Sequence, residues 1–439
     1  VDTPRLRALK RLTLLFVAAW LIFVVVAVNL FLGSMQAKSR ADFPFGVVTI
    51  GHEVYAQDFS YNLLILRGIE HRVVEHPYRF ADQEKLIRGI LPQMRKGMSH
   101  AYSPVTLVLG WPLLQLSGSA AFILYTGLMT GATLLLFSMY LVTRATCPAQ
   151  LFALALSATS IVCAAAFLVG QSALLTTPLL GAFWMILQRP DKSALARDAL
   201  LALLFWAICL KPSVAIIPGM LLLGAREWRV LALGALLLAA TWLLTARYYG
   251  GLFTGLADYS NLLNHYSNAD FPPYLRLREE SASRLRWDAA LFSIDRVLVL
   301  GSSLALLFLR WRGRIGASEH FQGMVWIFLL FSPYLMPSEN WVLCLLVVEG
   351  TFFSSERVPY GKLLLLAAIL NLRAEVTVPW QVDIYLKAAL FVWILWEWIK
   401  EKTPSPVILS LSHARVAGPD TFRLENKLYR NGKPHLPSS

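Results

Sequence analysis

Apolar runs long enough to cross a lipid bilayer recur along the whole of this chain, and no other feature limits its fold so strongly. The first extends from Leu12 to Leu32. A crossing helix needs roughly 20 consecutive apolar residues, somewhat fewer when helices are short. Backbone amides and carbonyls find no water inside lipid, so such runs must be helical. A membrane β-barrel would show short alternating strands, a pattern absent from this sequence. Charged residues make up 15% of the 439, and hydrophobic ones 56%. Soluble domains carry about 25% charged residues. The expectation is an all-α polytopic membrane protein with about a dozen transmembrane helices.

The formal net charge of +13 would suggest nucleic acid in a soluble protein. Here most Lys and Arg sit between apolar runs, where they set topology and meet lipid headgroups. Nucleic acid is therefore not an expected partner. Cys147, Cys163, Cys209 and Cys344 have no metal-ligand spacing and read as packing residues. No metal or cofactor is expected.

Charge placement threads the chain. Arg5, Arg7, Lys10 and Arg11 precede the first run, which is long for a signal peptide and lacks a convincing cleavage site. An uncleaved first helix with a cytoplasmic N-terminus follows. The segment Tyr102 to Leu116 holds Pro104, Gly110 and Pro112, and reads as interfacial. That choice keeps Arg144, Arg189, Lys192 and Arg197 inside. Lys211-Pro212 interrupts a later run. Proline removes a helical hydrogen bond, and a mid-bilayer lysine costs a few kcal/mol, so two short helices should meet at Lys211 near the outer face. Spans are expected near 12–32, 118–142, 150–169, 172–188, 198–210, 212–225, 229–249, 290–310, 322–337, 339–355, 360–372 and 381–400. They form one domain, 1–403, with outer loops 33–117 and 250–289 and a polar cytoplasmic tail, 404–439. Gly127 and Gly131 form a GxxxG pair, expected to pack helices closely.

The polar mass is thus concentrated on one side. In the first loop Phe59, Leu63 and Leu66 share one helical face after Asp58. Leu86, Ile87, Ile90, Leu91 and Met94 share another, opposite Lys85, Arg88, Arg95 and Lys96. These read as amphipathic juxtamembrane helices in the headgroup plane. They are interfacial anchors, and compatibly the wall of a site for an anionic lipid in which Arg88 meets phosphate. Asp58 opens its helix, where an N-cap carboxylate is stabilised by free N–H groups, and where it could also act as a general base. Lys211 is either a snorkelling cation or a phosphate ligand. Gln171 could hydrogen-bond a sugar or merely the facing backbone. The second loop mixes aromatics with Asn and Asp around His265, which suits carbohydrate and also any wet loop. His265 has no partner at metal spacing. No nucleotide-binding, Ser-elbow or HExxH motif is present.

Taken in order, the motifs are Asp58 with Tyr61, Pro77-Tyr78, Tyr102-Ser103-Pro104, Gly170-Gln171, Lys211-Pro212, and Ser332-Pro333-Tyr334 running to Trp341. Across roughly residues 50–350 this order resembles glycosyltransferase family 87, membrane transferases of the C-type fold (GT-C) that use polyprenyl-phosphate sugars. Two motifs depart from the family. Ser103 stands where Tyr-Pro-Pro is common, and Glu339-Asn340-Trp341 stands where His or Tyr is common. The resemblance implies an inverting hexosyl transfer, mannose by association, from a polyprenyl-phosphate sugar to a lipid-linked or glycan acceptor. It implies a bacterial cytoplasmic (inner) membrane with the site facing the periplasm. Asp58 matches the family's base, Lys211 its Lys-Pro and Gln171 its Gly-Gln. Tyr61, Tyr102, Gln171, His265, Glu339 and Asn340 are the expected sugar or acceptor ligands, and Lys211 with Arg88 the donor-phosphate ligands. A lipid-sugar ligase or polymerase would instead rely on Arg and His in large outer loops. A lipid or glycan transporter would show broken helices near the midplane in both halves.

Overall fold

The computed structural model describes residues 3–36, 40–43, 46–49, 57–79, 81–83, 85–86, 102–189, 194–265, 288–331, 337–349, 360–371 and 381–402. The chain divides into two compact units, residues 1–391 and 392–439. The described part of the second is the end of the last helix, where Trp393 and Trp396 are exposed.

The described residues are almost wholly helical. The exception is a short antiparallel hairpin, β1 (Arg40–Phe43) and β2 (Gly46–Thr49), with Arg40 opposite Thr49. It follows α1 (Pro4–Gln36) and precedes α2 (Gln57–Glu70) and α3 (Val105–Leu114). The bundle continues with α4 (Gly118–Thr143), α5 (Pro148–Ala158), α6 (Ile161–Val169), α7 (Ala173–Leu187), α8 (Ala194–Ile208), α9 (Pro212–Ala225) and α10 (Trp228–Thr245). After α11 (Leu252–His265) come α12 (Asp288–Trp311), α13 (Ala317–Phe331), a 3-10 turn at Pro337–Val342, α14 (Leu343–Val348), α15 (Tyr360–Asn371) and α16 (Gln381–Lys402).

Among the described residues four stretches are long and apolar enough to cross a membrane: Pro4–Gly33, Gly118–Thr143, Pro148–Leu168 and Trp228–Tyr248. Their outer surfaces carry exposed Leu12, Leu15, Leu128, Leu135, Leu236 and Leu244. Contiguous apolar surface on that scale belongs against lipid rather than water. The protein is a helical membrane protein.

Several expectations need correction. The span expected at 150–169 holds as Pro148–Leu168, but it bends at Thr159-Ser160, where the Ser160 hydroxyl accepts from the Cys163 amide at 3.2 Å and starts α6. The stretch 339–355 opens as a 3-10 turn followed by a six-residue helix, with 350–355 outside the described residues. Among the described residues nothing packs against Gly127 and Gly131, which face outward from the bundle. The close approach falls instead at Gly181 of α7, against Leu136 of α4. The α2 helix does not lie half-exposed at an interface. Leu63 through Ile69 are buried without a break, because α3, α4 and α6 pack around them. Tail residues 404–439 lie outside the described residues. Of the cysteines, Cys163, Cys209 and Cys344 are buried and all four are free thiols.

The helix ends sort into two faces. At one, Arg144 donates to Gln188, joining the ends of α4 and α7. Arg197 at the start of α8 reaches the Leu187 carbonyl at 3.3 Å and Glu227, before α10, at 2.7 Å. Trp311, ending α12, donates to the Leu223 carbonyl near the end of α9 at 2.9 Å. The opposite face gathers the ends flanking Leu116, Gly170, Lys211 and Tyr248, with Tyr102, Gln171 and Lys211 among the residues there.

Candidate functional site

The site is built where helices stop. At the end of α6, Gly170 takes the left-handed conformation at φ +69°. The Gln171 amide bonds back to Ala166 O at 2.8 Å and the Gly170 amide to Phe167 O at 3.3 Å, a glycine-capped helix end. A side chain at 170 would collide with Phe59, so the α6–α7 junction sits directly on the first turn of α2. That turn contains Asp58. The helix begins at Gln57, so Asp58 lies inside the first turn rather than at the cap, still where the helix dipole favours a carboxylate.

Gln171 follows immediately. It is 6% exposed, and its Oε1 has no hydrogen-bond donor among the described residues. A buried acceptor left unsatisfied costs about 1–3 kcal/mol, so a native one calls for a reason. Next to it, the hydroxyls of Ser172 and Tyr102 lie 3.2 Å apart. The Ser103 hydroxyl donates to Cys209 O at 2.6 Å, and the Ser103 amide to Leu210 O at 3.2 Å. Tyr102-Ser103 therefore bridges the α6–α7 junction to the α8–α9 junction.

At that second junction Lys211 is extended (φ −115°, ψ 95°) and half-buried, and Pro212 occupies the first helical position of α9. Proline there loses no hydrogen bond, since that amide is unpaired in any helix. The Lys211 carbonyl accepts from the Val214 amide at 3.0 Å and the Ala215 amide at 3.2 Å. The lysine thus marks a chain break at the same end of the bundle as Asp58 and Gln171.

Pro77-Tyr78 joins from another side. The Tyr78 hydroxyl donates to Tyr102 O at 3.0 Å, and Gln83 Nε2 to Pro77 O at 2.5 Å. Burial, reinforced by the neighbouring Tyr249 and Tyr259, raises the Tyr78 pKa well above its ordinary value, so Tyr78 serves as a neutral donor. Its ring stacks on Tyr249 with centroids 4.7 Å apart, and Trp242 and Tyr259 complete an aromatic cluster. Around it Asp258 of α11 takes Arg79 Nε at 3.1 Å and lies 3.4 Å from His76 Nδ1.

The late motif also comes near. The 3-10 turn Pro337–Val342 packs on α6 and α7. Asn340 is buried there, and Trp341 donates to Ser157 O at 3.1 Å, a packing role in the α5–α6 bend. Glu339 in that turn, Tyr61 in α2 and His265 ending α11 are placed by backbone only, as is Asp58. Arg88, the helix expected over 86–94 beyond Leu86, and Ser332-Pro333-Tyr334 beyond the end of α13 lie outside the described residues.

Sequence reasoning missed Ser172, Ser103 as an anchor, and the His76–Arg79–Asp258 cluster. Ser172 was within reach, since it follows Gly170-Gln171 directly. The pairing of 76–79 with 258 leaves no local signal. Among the described residues no group of three or more His, Cys, Asp or Glu could hold a metal ion. Chemically, the assembled face offers an unsatisfied amide oxygen, a hydroxyl pair and a cation at a helix break, and Asp58 belongs to the adjoining first turn of α2. No family model, curated protein or solved structure matches this chain.

Proposed function

We propose that the protein is an inverting glycosyltransferase that moves a hexosyl group, mannose in the first instance, from a polyprenyl-phosphate sugar to a hydroxyl of a lipid-linked or glycan acceptor. The site faces the outside of a bacterial cytoplasmic membrane. What supports this reading is one convergence. Phe59 beside Asp58 packs on Gly170, Gln171 follows, Ser172 meets Tyr102, and Ser103 is bonded to the two residues preceding Lys211. Four motifs that are far apart in sequence, and that resemble glycosyltransferase family 87, meet at one end of the bundle.

The chemistry asked of these groups is modest. The acceptor oxygen attacks the anomeric carbon on the face opposite the phosphate, the bond from that carbon to the phosphate oxygen breaks, and the sugar inverts. Asp58 takes the acceptor proton. The departing polyprenyl phosphate carries the bonding pair, and Lys211 stabilises its charge. Gln171 accepts from a sugar hydroxyl and fixes the ring, with Tyr102 beside it. Arg88, Tyr61, His265, Glu339 and Asn340 remain candidate contacts to donor or acceptor.

The test is donor binding by the purified full chain in lipid nanodiscs, using a short-chain polyprenyl phosphate. Lys211→Ala should weaken binding at least tenfold, about 1.4 kcal/mol. Lys211→Arg should keep more of it, since charge is retained. Full affinity in Lys211→Ala reduces the residue to a topological cation and removes the phosphate site.

A further inference from the structure

The helix α11 departs from the bundle in a way that the transfer chemistry does not use. The chain leaves α10 at Tyr249 and reverses through Gly250 and Gly251, at φ +72° and +104°. Gly255 then lies against Tyr249 and the Trp242 ring. A Cβ there would be 3.0 Å from Tyr249 O and 3.7 Å from Trp242. The first turns of α11 are thereby folded back beside the last turn of α10, within a stretch long and apolar enough to cross a membrane.

The two sides of α11 differ. Toward the protein it presents Gly255, Asp258, Tyr259 and buried Leu262. Away from it, Phe253 is 83% exposed and Leu256 41%. Further along the exposed side come Ser260 and Asn261. The exposed side is therefore apolar at its start and polar toward its end. Immediately before the reversal, Leu243 and Leu244 of α10 are exposed as well. Phe253 and Leu256 continue that lipid-facing belt.

The geometry points to α11 as an interfacial strut whose partner is the lipid leaflet on the site face. Phe253 and Leu256 insert among the upper acyl chains, Ser260 and Asn261 emerge at the headgroups, and Asp258 on the protein side holds Arg79. Buried apolar area holds such a helix at the interface, and its polar end sets the angle. The strut fixes the height of segment 76–79 relative to the bilayer, and Tyr78 in that segment holds the Tyr102 backbone. The inference does not depend on sugar transfer.

Spin labels on the full chain, reconstituted in phosphatidylcholine–phosphatidylglycerol vesicles, test it. Labels go at Phe253→Cys, Leu256→Cys and Ser260→Cys in a Cys147→Ser background, since the other three cysteines are buried. Collisions with lipid-soluble oxygen should dominate at 253 and 256, placing the 253 label roughly 5–10 Å below the headgroups. Collisions with an aqueous nickel chelate should dominate at 260. If the chelate reaches 253 as readily as 260, the helix stands in water and the inference fails. If 253 is shielded from both agents, a protein surface covers it and the lipid partner is wrong.

Discussion

The two ends of the bundle use polar groups differently. At the basic end most of them are tied to one another, with Arg197 Nε and His320 Nε2 left without a partner among the described residues. Arg197 bonds Asp198, Glu227 and the Leu187 carbonyl. Glu349 takes the Trp184 indole on one oxygen and the Ser318 hydroxyl at 2.8 Å on the other. Those contacts tie helix termini together, and the valences they use are no longer open to a ligand. At the site end, neutral hydroxyls and aromatic rings do most of the tying, and a buried amide oxygen, Gln171 Oε1, is left over. The ion pair there, Asp258 with Arg79, lies among the loops with His76 beside it, outside the Gln171 and Lys211 junctions. Ionised pairs do the tying at the basic end, and neutral hydroxyls and rings at the site end.

That contrast can be broken at either end. Arg197→Ala should destabilise the protein by about 3 kcal/mol, because it strands the nearly buried Asp198 carboxylate and takes a partner from Glu227. Thermal unfolding in detergent would show it, while donor affinity of the folded fraction stays unchanged. Gln171→Leu should do the reverse. Stability holds within about 1 kcal/mol, since an unsatisfied buried acceptor is removed, and donor or acceptor affinity drops roughly tenfold for the lost hydrogen bond. An unfolding temperature that falls along with affinity would mean that Gln171 is a structural group. The smallest effect belongs to Tyr102→Phe, which removes the contact with Ser172 but keeps the ring. A loss of about 0.5–1.5 kcal/mol in ligand binding is expected, with little change in folding.

The breaks were the most legible part of the site. Lys211-Pro212 announces a helix start because proline suits the first helical position, and Gly170 announces a helix end because it reaches a left-handed backbone at low cost. The brevity of 105–114 follows from Pro104 before it and Pro112 inside it. Burial of α2 was not legible. Its sequence has an apolar face and reads as amphipathic, yet the cover over its other side comes from α3, α4 and α6, which lie later in the chain. The bend at Thr159-Ser160 escaped for a related reason, since the apolar run continues through it and only the Ser160 cap reveals two helices. Among the described residues nothing approaches Gly127 and Gly131, and the close approach to α4 falls at Gly181 of α7 instead, a choice that the small-residue spacing alone does not reveal. Pairings such as Asp258 with Arg79 depend on how the chain reverses at Gly250-Gly251, which residue types alone do not specify.

The central claim is that the first turn of α2 carries the base of a sugar transfer, and Asp58→Asn tests it most directly. In the first turn Asn forgoes only the helix-dipole interaction of the carboxylate, about 0.3–1 kcal/mol, so folding should be little changed. It cannot accept a proton from the acceptor hydroxyl. With purified, folded protein and a polyprenyl-phosphate mannose donor, wild type should transfer sugar and Asp58→Asn should be slower by roughly 10²–10⁴-fold. Near-native turnover in Asp58→Asn, from an unfolding profile matching wild type, would contradict the account and leave Asp58 as a residue that merely starts a helix.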